Sequence, residues 1–148
     1  MKTYRSYMID IVRTDIGGDR NRVTTPPELY ELFQTMAAGA TKESLFVVAF
    51  DGQNGIIGID EVYKGTATGT SVRIAELFHP LVHMNAVGFA LVHNHPSTNI
   101  DPSDADLQLT AEVVTAAKMM DLEFLDHLIV GDKDYTSIRS KHTSLWGD

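Results

Sequence analysis

Two histidines separated by one residue, His93-Asn94-His95, follow the apolar run Val87 to Val92. Strand side chains alternate between faces, so both imidazoles can point to one side and chelate a single metal ion while Asn94 points away. Eleven residues beyond His95, Asp106 falls in the first turn of an expected helix, where the helix dipole favours an ionised carboxylate. Two imidazoles and one carboxylate leave a position of a tetrahedral zinc site open, which is the arrangement of a catalytic site rather than a closed structural one. Plainer uses exist for each residue. A histidine at a strand end can be a hydrogen-bonded structural residue, and Ser103, Asp104 and Asp106 can serve only to cap a helix.

The elements that must position these residues read as a mixed α/β domain. Tyr4 to Arg13 is strand-like, and Gly17 through Arg22 forms a polar loop. Thr25-Pro26-Pro27-Glu28 combines an N-cap, a proline in the first turn and a Glu three residues after the cap, which starts a helix to about Ala38, where Gly39 stops it. Ser44 to Phe50 and Ile56 to Tyr63 are β-rich runs joined by a loop of hairpin composition, Asp51 to Gly55. After a flexible connection, Gly65 to Thr70, apolar residues at helical spacing run from Val72 to Met84, with Pro80 as a possible kink. Val87 to Val92 has the continuous apolar character of a strand covered on both faces. A helix from about Pro102 to Asp121, a strand from Phe124 to Val130, a turn at Gly131 to Asp134 and a short strand from Tyr135 to Ile138 complete the chain.

Composition sets the outer limits. With 148 residues, 43% hydrophobic and 22% charged, the chain is in the globular range and long enough for a core without disulfides. It contains no cysteine, so metal ligands and nucleophiles must come from His, Asp, Glu, Ser or Lys. A net charge of −8 argues against tight, sequence-independent binding to a phosphate backbone. No apolar stretch has signal-peptide or membrane-span length, and the expectation is a soluble cytoplasmic protein of one domain, residues 1–148. Oligomeric state is not readable, since the aliphatic N-terminal strand could pair with a second chain or with its own sheet.

His93-Asn94-His95-Pro96, six residues from Ser97 to Pro102, Ser103, two residues and Asp106 together resemble the JAB/JAMM metalloprotease signature HxHPx6SxxD. The flanking segments Leu91 to Ser97 and Leu125 to Gly131, with Gly65-Thr66, are similar to the RadC-type branch of that family. The resemblance covers about Glu43 to Ser137. It implies an MPN/JAB-like, cytidine-deaminase-like fold, a mixed curved sheet flanked by helices, with a core over residues 40–140 and a strand-helix extension over residues 1–39. It also implies a Zn2+ cofactor held by His93, His95 and Asp106, with Ser103 stabilising the oxyanion. The family's general-base glutamate is matched by Glu43, in Glu43-Ser44-Leu45-Phe46-Val47, ahead of the competing Glu61.

The implied activity is hydrolysis of a peptide or isopeptide bond by metal-activated water, with a peptide or protein substrate such as a ubiquitin-like conjugate. Two alternatives are an accessory protein of DNA metabolism and a non-catalytic MPN interaction domain. The basic concentration that DNA would need is confined to Lys2, Arg5, Arg13, Arg20 and Arg22. Two departures from the branch stand out: Thr98 replaces the glycine after HNHPS, and Met1 to Ala38 does not read as the helix-hairpin-helix region of full-length RadC-type proteins. Asp126 is expected to orient an imidazole, and His127 to be a strand residue facing water or a further polar contact. His79, His83 and His142 have no ligand spacing to the cluster. Because Asn94 points away, His-Asn-His does not signal an HNH nuclease.

Overall fold

Leu45 to Phe50 is apolar at every position because it lies inside a sheet covered on both faces. The computed structural model describes residues 3, 22–37, 40–65, 72–96 and 99–148. The strand expected at Tyr4 to Arg13, most of the loop before Arg22, and the Thr66 to Thr70 connection lie outside the described residues. Within them the order is α1 (Pro26–Ala37), β1 (Glu43–Phe50), β2 (Ile56–Gly65), α2 (Ile74–His83), β3 (Gly88–Asn94), α3 (Asp104–Met119), β4 (Glu123–Val130), β5 (Tyr135–Ser137) and α4 (Ile138–Lys141), with a closing 3-10 turn, Thr143–Trp146.

The five strands form one sheet in the order β2-β1-β3-β4-β5. β3 and β4 are parallel and the other neighbours antiparallel. Parallel neighbours require a crossover, and α3 provides it. On one face Leu45, Val47, Phe89, Leu91 and Ile129 pack beneath α2 and α3. On the other, Phe46, Val48, Ala90, Val92 and Leu128 pack beneath Leu29 and Phe33 of α1. The result is a mixed α/β architecture of the JAB/MPN kind.

Local chemistry explains the element boundaries. The Glu28 carboxylate accepts from the Thr24 and Thr25 N–H groups at 2.7 and 3.2 Å, which satisfies donors at the start of α1. In the β1–β2 hairpin, Asp51 Oδ1 accepts from the Gln53 and Gly55 N–H groups, both at 2.8 Å. A Cβ at residue 55 would come within 2.6 Å of Asp51 Oδ2, so a larger residue there would displace the Asp51 side chain that holds the loop. α2 continues through Pro80, and Met84 N–H closes its last turn on the Pro80 carbonyl at 2.9 Å.

The C-terminal end departs from the sequence expectation. Ile138 is not a strand residue but the first residue of α4, fully buried, and Ser137 caps that helix by accepting from Ser140 N–H. Trp146 then packs on Phe124 and donates to its carbonyl at 2.8 Å. Among the described residues, no helix is long and apolar enough to cross a membrane.

Candidate metal centre

His93 lies one residue from the end of β3, on the face covered by α2 and α3, and His95 lies just past the strand. Glu43 begins β1 on the same face, two residues before Leu45, the register partner of His93. Its Oε2 is 3.3 Å from His93 Nε2. Glu43, His93 and His95 each present one donor atom within 4.8 Å of the others, a group that could hold a metal ion. Asp106 arrives from the first turn of α3 and bridges both imidazoles: Oδ1 is 3.1 Å from His93 Nδ1 and Oδ2 is 3.3 Å from His95 Nε2. All four side chains are largely withdrawn from water.

The start of α3 fixes that carboxylate. Ser103 Oγ accepts from Asp106 N–H at 3.0 Å, and Asp106 Oδ2 accepts from Ser103 N–H at 2.9 Å, a reciprocal capping box. Burial, the largest single influence on Asp106, pushes its carboxyl up. Hydrogen bonds from His93, His95 and the Ser103 N–H together outweigh it and hold the group well below the usual carboxylate range. For His95 the hydrogen bond to Asp106 is the main influence and raises the imidazole above its ordinary value, against burial. The Asn99 carbonyl accepts from His95 Nδ1 at 3.1 Å, which leaves Nε2 directed at the carboxylate.

Glu61 is placed elsewhere. It is the register partner of Phe46, on the α1 face, where it lines a cleft of about 440 Å³ with Lys42, Ser44, Lys64 and Asn94. The sheet separates it from His93. The donor chemistry and this cleft are thus on opposite faces.

Two expectations need correction. Asp126 touches neither imidazole. Its carboxylate accepts from Ser137 Oγ at 2.6 Å and from the His127 and Arg139 N–H groups at 2.7 and 3.2 Å, so it ties β4 to the start of α4. His127 does not face water: it is fully buried beside His93, with ring centroids 6.2 Å apart. Thr110 Oγ1 donates to the Asp106 carbonyl at 2.7 Å and accepts from His127 Nδ1 at 2.8 Å, which puts the imidazole proton on Nδ1. Nε2 of His127 has no hydrogen-bond partner among the described residues.

Sequence reasoning therefore missed the Thr110–His127 link and the Asn99 carbonyl. Thr110, one turn after Asp106 on the same helix face, was the available signal for the first; nothing in the sequence marks the second. His79 and His83 are on α2 away from this group, with nitrogens 2.9 Å apart, and His142 closes α4.

Residues 23–143 match the RadC-like JAB domain, and the chain belongs to that family. The match begins before the Glu43 motif and so includes α1, whose apolar side covers the sheet. The chain is 35% identical over 140 residues to the UPF0758 protein AM1_4368 of Acaryochloris marina, covering 88% of this chain and 57% of that protein. It is 40% identical over 104 residues to the UPF0758 protein tlr1707 of Thermosynechococcus vestitus, covering 70% and 41%. With the UPF0758 protein of Roseiflexus castenholzii it shares 30% identity over 125 residues, covering 84% and 54%. The chain thus spans about half the length of the curated relatives it matches, and their names state no reaction.

Proposed function

We propose that the protein is a zinc-dependent hydrolase of the JAMM type that cleaves a peptide or isopeptide bond. The observation carrying this reading is the convergence of two imidazoles and two carboxylates on one face of the sheet: Glu43, His93 and His95 present donor atoms within 4.8 Å of one another, and Asp106 contacts both imidazoles. The donor set suits the metal, because imidazole nitrogen and carboxylate oxygen are ordinary zinc ligands. His93, His95 and Asp106 would hold it. Asp106 already contacts both imidazoles, which with the Ser103 N–H keep it ionised, and its capping box orients it. Zinc bound there would act as a Lewis acid, polarising the scissile carbonyl and activating water near neutral pH.

The remaining steps belong to the chain. Glu43, anchored on a different strand from the ligands, takes the proton from the attacking water and returns it to the leaving amine. Ser103 Oγ accepts from Asp106 N–H, which leaves its own proton to donate to the oxyanion on the attacked carbonyl. The proposed substrate is a peptide or protein tail, a ubiquitin-like conjugate among the candidates. The net charge of −8 weighs against duplex DNA.

The test is elemental analysis of the protein purified without added zinc, beside His95→Ala and Asp106→Ala. Stoichiometric zinc in the wild type and its loss from both folded variants supports the reading and justifies a screen of peptide and isopeptide substrates with Glu43→Gln as the inactive control. A folded wild type that takes up no zinc at micromolar concentration overturns it.

A further inference from the structure

The backbone ladder between β1 and β3 ends at the Leu45–His93 pair. The next two positions of the same register would set Ser44 opposite Asn94 and then Glu43 opposite His95. The chains part there instead. The His95 N–H goes to Val130 O at 2.9 Å, continuing the parallel β3–β4 ladder, and Glu43, His93 and His95 present donor atoms within 4.8 Å of one another. Ending the ladder at Leu45–His93 makes room for the site, but the Ser44 N–H and the Lys42 carbonyl, the peptide groups on either side of Glu43, then lie beyond its last pair, and the residue that the register would bring to Lys42 O is Pro96, which has no N–H. An unmatched buried peptide group costs about 1–3 kcal/mol, so something must replace the lost ladder.

Asn94 replaces it. Its Oδ1 accepts from Ser44 N–H, and its Nδ2 donates to Lys42 O at 3.0 Å. A carboxamide has the same donor and acceptor pair as a peptide unit, so it continues the ladder by one rung from a side chain. Asn94 is itself buried, on the α1 face, opposite to the His93 imidazole. Both peptide groups flanking Glu43 are therefore held from beneath, and its carboxylate is directed through to the other face, 3.3 Å from His93 Nε2. Aspartate would supply the acceptor without the donor, and leucine would supply neither.

We infer that Asn94 is the positioning residue for the general base: it holds Glu43 at the gap between β1 and β3 while its two sequence neighbours, His93 and His95, serve as ligands. This inference rests on the metallohydrolase reading of the site. It also gives each residue of His93-Asn94-His95 a task, the outer two on one face and the middle one on the other.

Cobalt(II) is the probe, because its visible spectrum reports the surroundings of the ion without any substrate. The wild type, Glu43→Gln, Asn94→Ala and Asn94→Asp are each loaded at neutral pH and checked for fold by circular dichroism. Asn94→Ala should retain stoichiometric cobalt with affinity within about tenfold of wild type, since losses of roughly 10–100-fold mark residues that support a ligand. Its spectrum should be displaced in the same direction as that of Glu43→Gln. Asn94→Asp, which keeps the Ser44 bond, should show a smaller displacement in that direction and serves in place of Asn94→Ala if the latter fails to fold. A wild-type spectrum in the folded Asn94 variants, with Glu43→Gln displaced, overturns the role of Asn94 alone. So does a loss of affinity well beyond tenfold, which would make Asn94 a support for the histidines. No cobalt uptake by the wild type, or a Glu43→Gln spectrum identical to wild type, overturns the metallohydrolase reading and the role of Asn94 with it.

Discussion

The outer part of the site around His95 and its floor around His127 place the same side chain in two opposite states. His95 has a carboxylate against one nitrogen and a carbonyl against the other, so both nitrogens act as donors and the imidazole is held above its ordinary value. His127, deeper on the same face, has a threonine hydroxyl on one nitrogen and, among the described residues, no partner on the other; full burial pushes it down to about 3. A carboxylate in contact makes an imidazole a place where a proton, or a metal in its stead, is welcome. Burial without one makes the same ring a neutral strut. The difference lies in Asp106, which reaches His93 and His95 with its side chain but meets the His127 side only through its backbone carbonyl and Thr110.

Removing that carboxylate should break the contrast most severely. Asp106→Ala should lower zinc affinity by more than about 100-fold, beyond the range of residues that merely support ligands. It should also return His95 towards or below its ordinary value, and titration calorimetry with NMR of the imidazole protons checks both. The pH response sharpens the contrast. In metal-free protein, neutral His127 contributes stability that is complete above its unfolded value near 6.5 and lost as pH falls from there towards about 3, at up to ~1.4 kcal/mol per pH unit. His95 acts with the opposite sign: its contribution is complete below about 6.5 and fades as pH rises through its raised value. Urea unfolding of metal-free protein across this range should show a shallower slope in His127→Gln than in the wild type.

A smaller effect is expected at the link between the two regions. Thr110→Val removes the hydroxyl shared by His127 and the Asp106 carbonyl, and should destabilise the fold by about 1–3 kcal/mol. Metal affinity should fall roughly tenfold, because the first turn of α3 loses a tie to β4. The least effect belongs to Glu61→Gln. With the sheet between it and the histidines, it should leave metal affinity unchanged and stability within about 0.5 kcal/mol.

How much of this was legible depended on distance along the chain. His93, His95 and Asp106 lie within one short stretch, and their spacing pointed to a ligand set, whereas a role for Ser103 beyond capping came only with the family resemblance. The β1–β2 hairpin was equally plain, since its turn chemistry is local. Glu43 lies 50 positions from His93, and only a family resemblance drew attention to it and ranked it ahead of Glu61; that the two lie on opposite faces is visible only in the fold. Asn94 was correctly expected to point away from the histidines, yet its use depends on where β1 and β3 part, and no local pattern encodes that. Asp126 and His127 were misjudged because alternation gives a residue's face but not what covers it: α3 covers His127, and α4 folds back onto Asp126.

The crossover topology also bears on the order in which the centre comes together. His93, His95, Asp106, Thr110 and His127 all belong to the β3–α3–β4 unit, whereas Glu43 is contributed by the hairpin before it. Closing the loop from His93 to Asp106 spans 13 positions and closing Glu43 onto His93 spans 50. Loop-closure entropy makes the second more costly by about 1 kcal/mol. In a folding chain, the groups that grip an ion can therefore gather before the group that would put it to work.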